Sequence, residues 1–283
     1  MDSARGTSAL DLVAGWPVHA AAAGYVTAGG GSGTTGTDKT FPLASVTKLL
    51  TTYALLVAVE ERTVDLDEPA GGIYGITLRH LLAHASGLPF EGDVLLTRPA
   101  TTRIYSNTGI ELAAAHLAAA SGLPFDTYLR EAVLEPLAMT ATTLGTASPA
   151  AGAVASLDDL LRFGAELLAP TLVAPATLAD AVTVQYPGLK GRVPGIGPMD
   201  PCAWGLGFEL RDRKVPHWTG SHNAPETFGH FGGSGTFLWI DPVAAVACAA
   251  LTDRPFDAWA LQHWPAFSDA ILAEAARLSP RAG

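Results

Sequence analysis

Two cysteines in a chain of 283 residues are too few for a disulfide framework, and Cys202 and Cys248 read as small hydrophobic residues. Positive charge is also scarce. Lys and Arg number 17 against 27 Asp and Glu, a net charge of −10, which speaks against nucleic acid or an anionic membrane surface as partner. No run of about eighteen apolar residues occurs, so nothing reads as a bilayer span. Internal repeats and low-complexity segments are missing, and the scattered glycines, Gly75 included, form no phosphate loop. His217, His222 and His230 with Glu226 fit no standard zinc spacing, so neither a metal nor an organic cofactor is expected. His80 and His84, four apart on one short helical stretch, read as structural.

What is present is apolar bulk and punctuation. Hydrophobic residues make up 48% of the chain, ample for a core in one large domain or two lobes. Residues 9–16 read as a short helix and 19–26 as a strand, followed by the flexible Gly29-to-Gly33 turn. A helix is expected over 45–61, and another over 78–84, closed by Gly87 and Pro89. The Ala-rich stretch 108–121, apolar all round, predicts a tightly packed internal helix, with a further helix from 125 to 133. Ser156 with Asp159 three residues on resembles an N-cap opening a helix to 167. The Gly- and Pro-rich stretch 186–201 reads as a long loop, a common form for an active-site lid. Strands follow over 203–210, 235–240 and 244–252, and a last helix over 259–278. The order predicts an α+β fold in which both termini build one lobe.

Three short words stand in order along this frame: Ser45-Val46-Thr47-Lys48, Tyr105-Ser106-Asn107 and His230-Phe231-Gly232. A serine hydroxyl is a poor nucleophile until a nearby base takes its proton. A lysine three residues on lies one turn along the same helix face, within reach of that hydroxyl. Thirteen Ser and four Lys give roughly 0.2 such pairings by chance, so the first word alone is weak. Context strengthens it: Lys48 sits in an otherwise uncharged stretch from Thr40 to Val59, and Asn107 is one of only two asparagines. Ser45 at a helix start also has the helix dipole to favour a developing negative charge.

These words resemble the serine β-lactamase and penicillin-binding protein superfamily, and most closely its class C β-lactamase-like branch of esterases, D,D-peptidases and D-aminopeptidases. The likeness extends through Phe41-Pro42-Leu43-Ala44, the run from Ile76 to Pro89, Glu135 to Met139, and Gly229 to Pro242, roughly residues 15 to 255. It implies an antiparallel sheet flanked by helices plus a mostly helical lobe, within one catalytic unit over 1–283. The sheet lobe would take about 1–44 and 203–283, the helical lobe about 45–202. The hairpin after the first strand is shorter than usual for the family, and Ala138 stands where the family commonly has Gly at a helix end.

For the site, the resemblance implies Ser45 as nucleophile, Lys48 and Tyr105 as proton carriers, and Asn107 holding Lys48 and the substrate's acyl part. Gly233, after Gly232, would supply the second oxyanion N–H beside that of Ser45, though Gly232-Gly233 reads equally as a strand bulge. His230 replaces the lysine of β-lactamases proper and remains a plausible donor. Phe231 replaces a hydroxyl residue that can bind a substrate carboxylate, which favours neutral esters or amides unless its ring points into the core. The expected partner is thus a small-molecule ester, amide or lactam. β-Lactamase, D,D-peptidase and D-aminopeptidase activities are the rival enzymes, and a catalytically idle ligand-binding or scaffold relative is the rival outside enzymes. The segment from Arg5 through residues 9–23 looks superficially like a secretion signal, but Asp11, Trp16, Pro17 and His19 interrupt it. Cleavage near Ala23 would leave about twenty residues for the strands the family needs before Ser45, too few. A cytoplasmic location is expected. The sequence leaves the oligomeric state open.

Overall fold

The computed structural model describes residues 8–278. Arg5 of the leader-like segment and the outermost ends of the expected catalytic unit lie outside the described residues. A 3₁₀ turn over Ala9–Gly15, capped by Ser8, leads to strands β1 (Ala21–Thr27) and β2 (Ser32–Gly36). Next come β3 (Phe41–Pro42), a 3₁₀ turn over Ala44–Val46, and helices α1 (Thr47–Glu60), α2 (Leu78–Leu82), α3 (Asn107–Ser121) and α4 (Phe125–Leu129). A π turn over Arg130–Leu134 extends α4; β4 (Val154–Ala155), α5 (Leu157–Leu168) and α6 (Pro175–Ala181) follow. The chain closes with β5 (Gly191–Val193), β6 (Gly197–Met199), β7 (Glu209–Leu210), β8 (Phe228–Gly232), β9 (Thr236–Asp241), β10 (Val246–Thr252) and α7 (Ala258–Leu278).

Six strands form one antiparallel sheet in the order β2-β1-β10-β9-β8-β7. The two ends of the chain meet in it, with Ala21 opposite Thr252 and Thr27 opposite Val246. The fold is thus α+β, an antiparallel sheet flanked by helices, as expected. Period-2 alternation sends successive side chains to opposite faces. Ala22, Ala247, Ala249, Leu238, Ile240 and Phe228 join the core shared with α1 and α5. Ala23, Tyr25, Cys248, Phe237, Trp239 and Phe231 join the aromatic core under α7. The small residues of β1 and β10 let α5 come close: a Cβ on Gly164 would stand 2.9 Å from the Ala247 methyl. α5 therefore lies on the sheet, although its residues fall in the stretch expected to build the helical lobe.

Local signals explain several ends. Ser156 Oγ accepts from Asp159 N, as its spacing predicted, while the Asp159 carboxylate turns away to accept from Ala141 N and Thr142 Oγ1. Ala138 has φ +53°, the left-handed region where glycine is at ease. Three expectations are corrected. α3 buries one face only, through Gly109, Ile110, Ala113, Ala114 and Leu117; its alanines are too small to mark which side is wet. Residues 186–201 are not structureless, since β5 and β6 pair as a short hairpin within them. The strand expected over 203–210 shrinks to β7, because Gly205 and Gly207 sit in a tight crossing where a Cβ on Gly207 would lie 1.8 Å from Thr52 Oγ1.

Candidate active site

Ser45 sits in the 3₁₀ turn that opens α1, where no side chain caps the helix start. Ala44 before it takes φ +44°, a backbone that bends the chain sharply into the turn. α1 is covered on all sides, which puts Lys48 at 0% exposure. Its Nζ stands 3.2 Å from Ser45 Oγ, 2.6 Å from Asn107 Oδ1 and 2.9 Å from the Ala150 carbonyl oxygen. Burial pushes the Lys48 pKa down from 10.5 to about 7, with the Glu111 carboxylate pulling the other way.

The second word is a helix start too. Ser106 caps α3, its Oγ accepting from Gly109 N and donating to the Pro89 carbonyl. Asn107, the first residue of α3, donates its N–H to the Phe90 carbonyl and turns its side chain toward Lys48. Tyr105 is buried with its hydroxyl 3.2 Å from His230 Nε2, and Lys48 Nζ lies 4.7 Å from its ring centre. Burial pushes the Tyr105 hydroxyl pKa well up, against a lowering by the Ser45 hydroxyl, so the phenol is protonated.

His230 Nδ1 lies 2.6 Å from the Phe231 carbonyl oxygen, which can only accept, so Nδ1 carries the proton. Burial, aided by the Lys48 charge, lowers the His230 pKa to about 3. The neutral ring therefore presents a bare Nε2, which accepts from Tyr105 O–H. This corrects the expectation of His230 as a donor. Phe231, next along β8, points to the opposite face. Its ring lies 4.4 Å from that of Phe256 and 5.8 Å from that of Trp218, nearly covered on the α7 side. The expected effect of this ring on a substrate carboxylate is thus also corrected, because alternation makes it a core residue.

The end of β8 is pressed against the turn that carries Ser45. A Cβ on Gly232 would stand 2.3 Å from the Leu43 carbonyl oxygen and 2.5 Å from Thr236 Oγ1, so only glycine fits. Thr236 Oγ1 donates to that Leu43 carbonyl and Ser234 Oγ to that of Pro42. Gly233 has open space where a side chain would be, and its carbonyl accepts from Phe256 N. Beside Tyr105 opens a cleft of about 510 Å³, walled by Phe90, Ile104, Tyr105 and Pro194, with Lys190 and Arg192 from the β5–β6 hairpin. Lys190 is paired with Asp200, and Arg192 is exposed.

Sequence reasoning missed four contributors. The Ala150 carbonyl on Lys48 carries no side-chain signal at all. Glu111 stands four residues after Asn107 on α3, a spacing that could have suggested it. Trp204 packs against Tyr105, His84 and His230, with Lys214 Nζ 5.3 Å from its ring. His84, read as structural, lies 4.6 Å from the Tyr105 ring centre. The other histidines have separate partners: His217 meets Glu209, inside a fully buried Glu209–Lys214 pair, and His222 meets Asp269. Among the described residues no group of three or more His, Cys, Asp or Glu could hold a metal ion, and no helix is long and apolar enough to cross a membrane.

The comparisons with known proteins agree with this fold. The family model described as Beta-lactamase matches residues 1–269. A beta-lactamase from Mycobacterium bovis shares 50% identity at a TM-score of 0.92, over 95% of this chain and 99% of that one. Unliganded simvastatin synthase (LovD) from Aspergillus terreus gives a TM-score of 0.74 at 19% identity over 94% and 96%. EstCE1, a hydrolase with promiscuous acyltransferase activity, gives 0.74 at 18% over 93% and 96%; these two show the fold alone. Penicillin-binding protein 4* of Bacillus subtilis is 29% identical over 38% of this chain, and the match spans only 31% of that longer protein.

Proposed function

Because the chain belongs to the Beta-lactamase family, whose fold implies hydrolase activity, we propose that it is a serine hydrolase that cleaves small neutral esters or amides through an acyl-enzyme on Ser45. The observation that carries this reading is the surroundings of Lys48. With a pKa of about 7 its amine is neutral for about half the molecules near pH 7. Two of its contacts, Asn107 Oδ1 and the Ala150 carbonyl, can only accept, so they take its two N–H groups. The lone pair is then left for the Ser45 hydroxyl at 3.2 Å.

Ser45 attacks the substrate carbonyl as Lys48 takes the hydroxyl proton. The oxyanion is held by the N–H groups of Ser45 and Gly233, at an uncapped helix start where the dipole favours negative charge. Tyr105, protonated and beside Ser45 and Lys48, delivers a proton to the leaving group and recovers one from protonated Lys48, which returns the amine to its neutral form. His230 Nε2 fixes the rotation of its O–H. Water adds to the acyl carbonyl as the neutral Lys48 amine takes its proton, and Lys48 returns that proton to Ser45 Oγ as the acyl group leaves as the acid. Asn107 holds Lys48 through Oδ1 and offers its amide N–H to the acyl part.

Substrate preference follows from His230. A neutral imidazole gives a carboxylate no charge at the third word, and burying a carboxylate unpaired is unfavourable by several kcal/mol. The cleft beside Tyr105 offers an uncharged arm the apolar surfaces of Phe90, Ile104, Tyr105 and Pro194, although Arg192 also lines it. β-Lactam hydrolysis is the second reading, favoured by the name of the 50%-identical Mycobacterium bovis protein. A kcat/KM panel of short acyl esters, amides, D-Ala-D-Ala peptides and a chromogenic β-lactam decides between them. The esters should be turned over fastest; efficient β-lactam hydrolysis with negligible esterase activity would refute the proposal.

A further inference from the structure

We infer that His84 is the positioning residue for Tyr105, gripping the backbone on both sides of it and backing its ring; this rests on the acyl-transfer reading above. The main-chain carbonyl of His84 accepts from Ile104 N at 3.0 Å, and its Nδ1 accepts from Ser106 N at 3.1 Å. The residues before and after Tyr105 are thus both tied to one side chain and its own backbone. The imidazole also packs against the phenol ring, with centres 4.6 Å apart, and meets Trp204 edge-on at 5.2 Å. A ring held at three points has little freedom to swing, so the Tyr105 hydroxyl stays between Ser45 and His230 Nε2.

Three further observations separate this from ordinary core packing. His84 takes φ +52°, the left-handed region that most side chains avoid and that His, with Asn and Asp, enters more readily than the apolar residues that could otherwise fill this space. Its turn is fastened again by Arg103, whose Nη1 donates to the Ala83 carbonyl. Its Nε2 is buried without a partner. Since Nδ1 accepts a main-chain N–H, the proton of the neutral ring is on Nε2, and burial with the nearby Lys48 charge holds the His84 pKa well below its ordinary value. An apolar side chain of equal size would avoid that orphaned N–H. What the imidazole adds is the Nδ1 acceptor.

The test is a double-mutant cycle between His84 and Tyr105, read by ester kcat and KM with folding checked by circular dichroism. His84→Leu removes the acceptor and should lose on the order of 10²-fold in kcat with KM changed less than about 2-fold, as for a displaced proton donor. His84→Asn keeps an acceptor oxygen and tolerates the left-handed backbone, so it should lose only about 10-fold. In a Tyr105→Phe background either substitution should change kcat by less than about 2-fold, since the residue it positions has lost its hydroxyl. A folded His84 variant with wild-type kcat, or one whose loss persists in full beside Tyr105→Phe, would overturn the inference; if the Leu variant does not fold, the Asn variant decides. Tyr105→Phe with wild-type turnover would instead overturn the role given to Tyr105 itself.

Discussion

Lys48→Met isolates what it takes to keep a basic amine inside this fold. Wild-type Lys48 has no exposed surface, and its pKa falls from 10.5 to about 7 because burial penalises the charged form. In the unfolded chain it titrates near 10.5. Between those two values the unfolded state binds more protons than the folded one, so the Lys48 contribution to stability rises with pH across that window and is flat below and above it. At about 1.4 kcal/mol per pH unit, the contribution changes by about 3 kcal/mol between pH 6 and pH 9. Every other titrating group is common to both proteins, so the difference between their pH curves reports Lys48. The offset between the curves depends on Asn107 Oδ1 and the Ala150 carbonyl losing their donor, but the slope does not. Urea unfolding of both proteins at several pH values measures it. The stability of wild type relative to Lys48→Met should increase by about 3 kcal/mol from pH 6 to pH 9. A difference that stays constant would show that Lys48 is charged throughout and is no general base.

The same lowered pKa predicts that ester kcat/KM climbs with pH about tenfold per unit below pH 7 and levels off above it; a flat profile from pH 5 to 9 would exclude Lys48 as the base. Gly232→Ala forces a methyl against the Leu43 carbonyl, which should destabilise the protein by about 1–3 kcal/mol and lower kcat by displacing the Ser45 turn. Thermal unfolding and ester kinetics check it, and unchanged values for both would refute the close approach of β8 to that turn.

The sequence carried β1, β9, β10 and the helix starts because those signals are local, while β2 and β8, rich in Gly, were not read as strands. Ser156 names its own cap, Ser45-x-x-Lys48 sets one turn of spacing, and β9 and β10 are continuous apolar runs. The β5–β6 hairpin was illegible because Gly and Pro occupy strand positions normally reserved for β-formers. Phe231 was misplaced for a different reason. Both His230 and Phe231 are buried, so composition does not reveal the phase of β8, and the phase decides which of them meets Tyr105. His84 was invisible as a site residue because its contacts are to main-chain atoms of residues 104 and 106, and main-chain partners leave no trace in a side-chain pattern.

The central claim is that Ser45 forms the covalent intermediate, and a fluorophosphonate tests it most directly. Intact mass should show one adduct, peptide mapping should place it on Ser45, and Ser45→Ala should lose both the adduct and the esterase activity. An adduct on another serine, with activity surviving Ser45→Ala, would contradict the account.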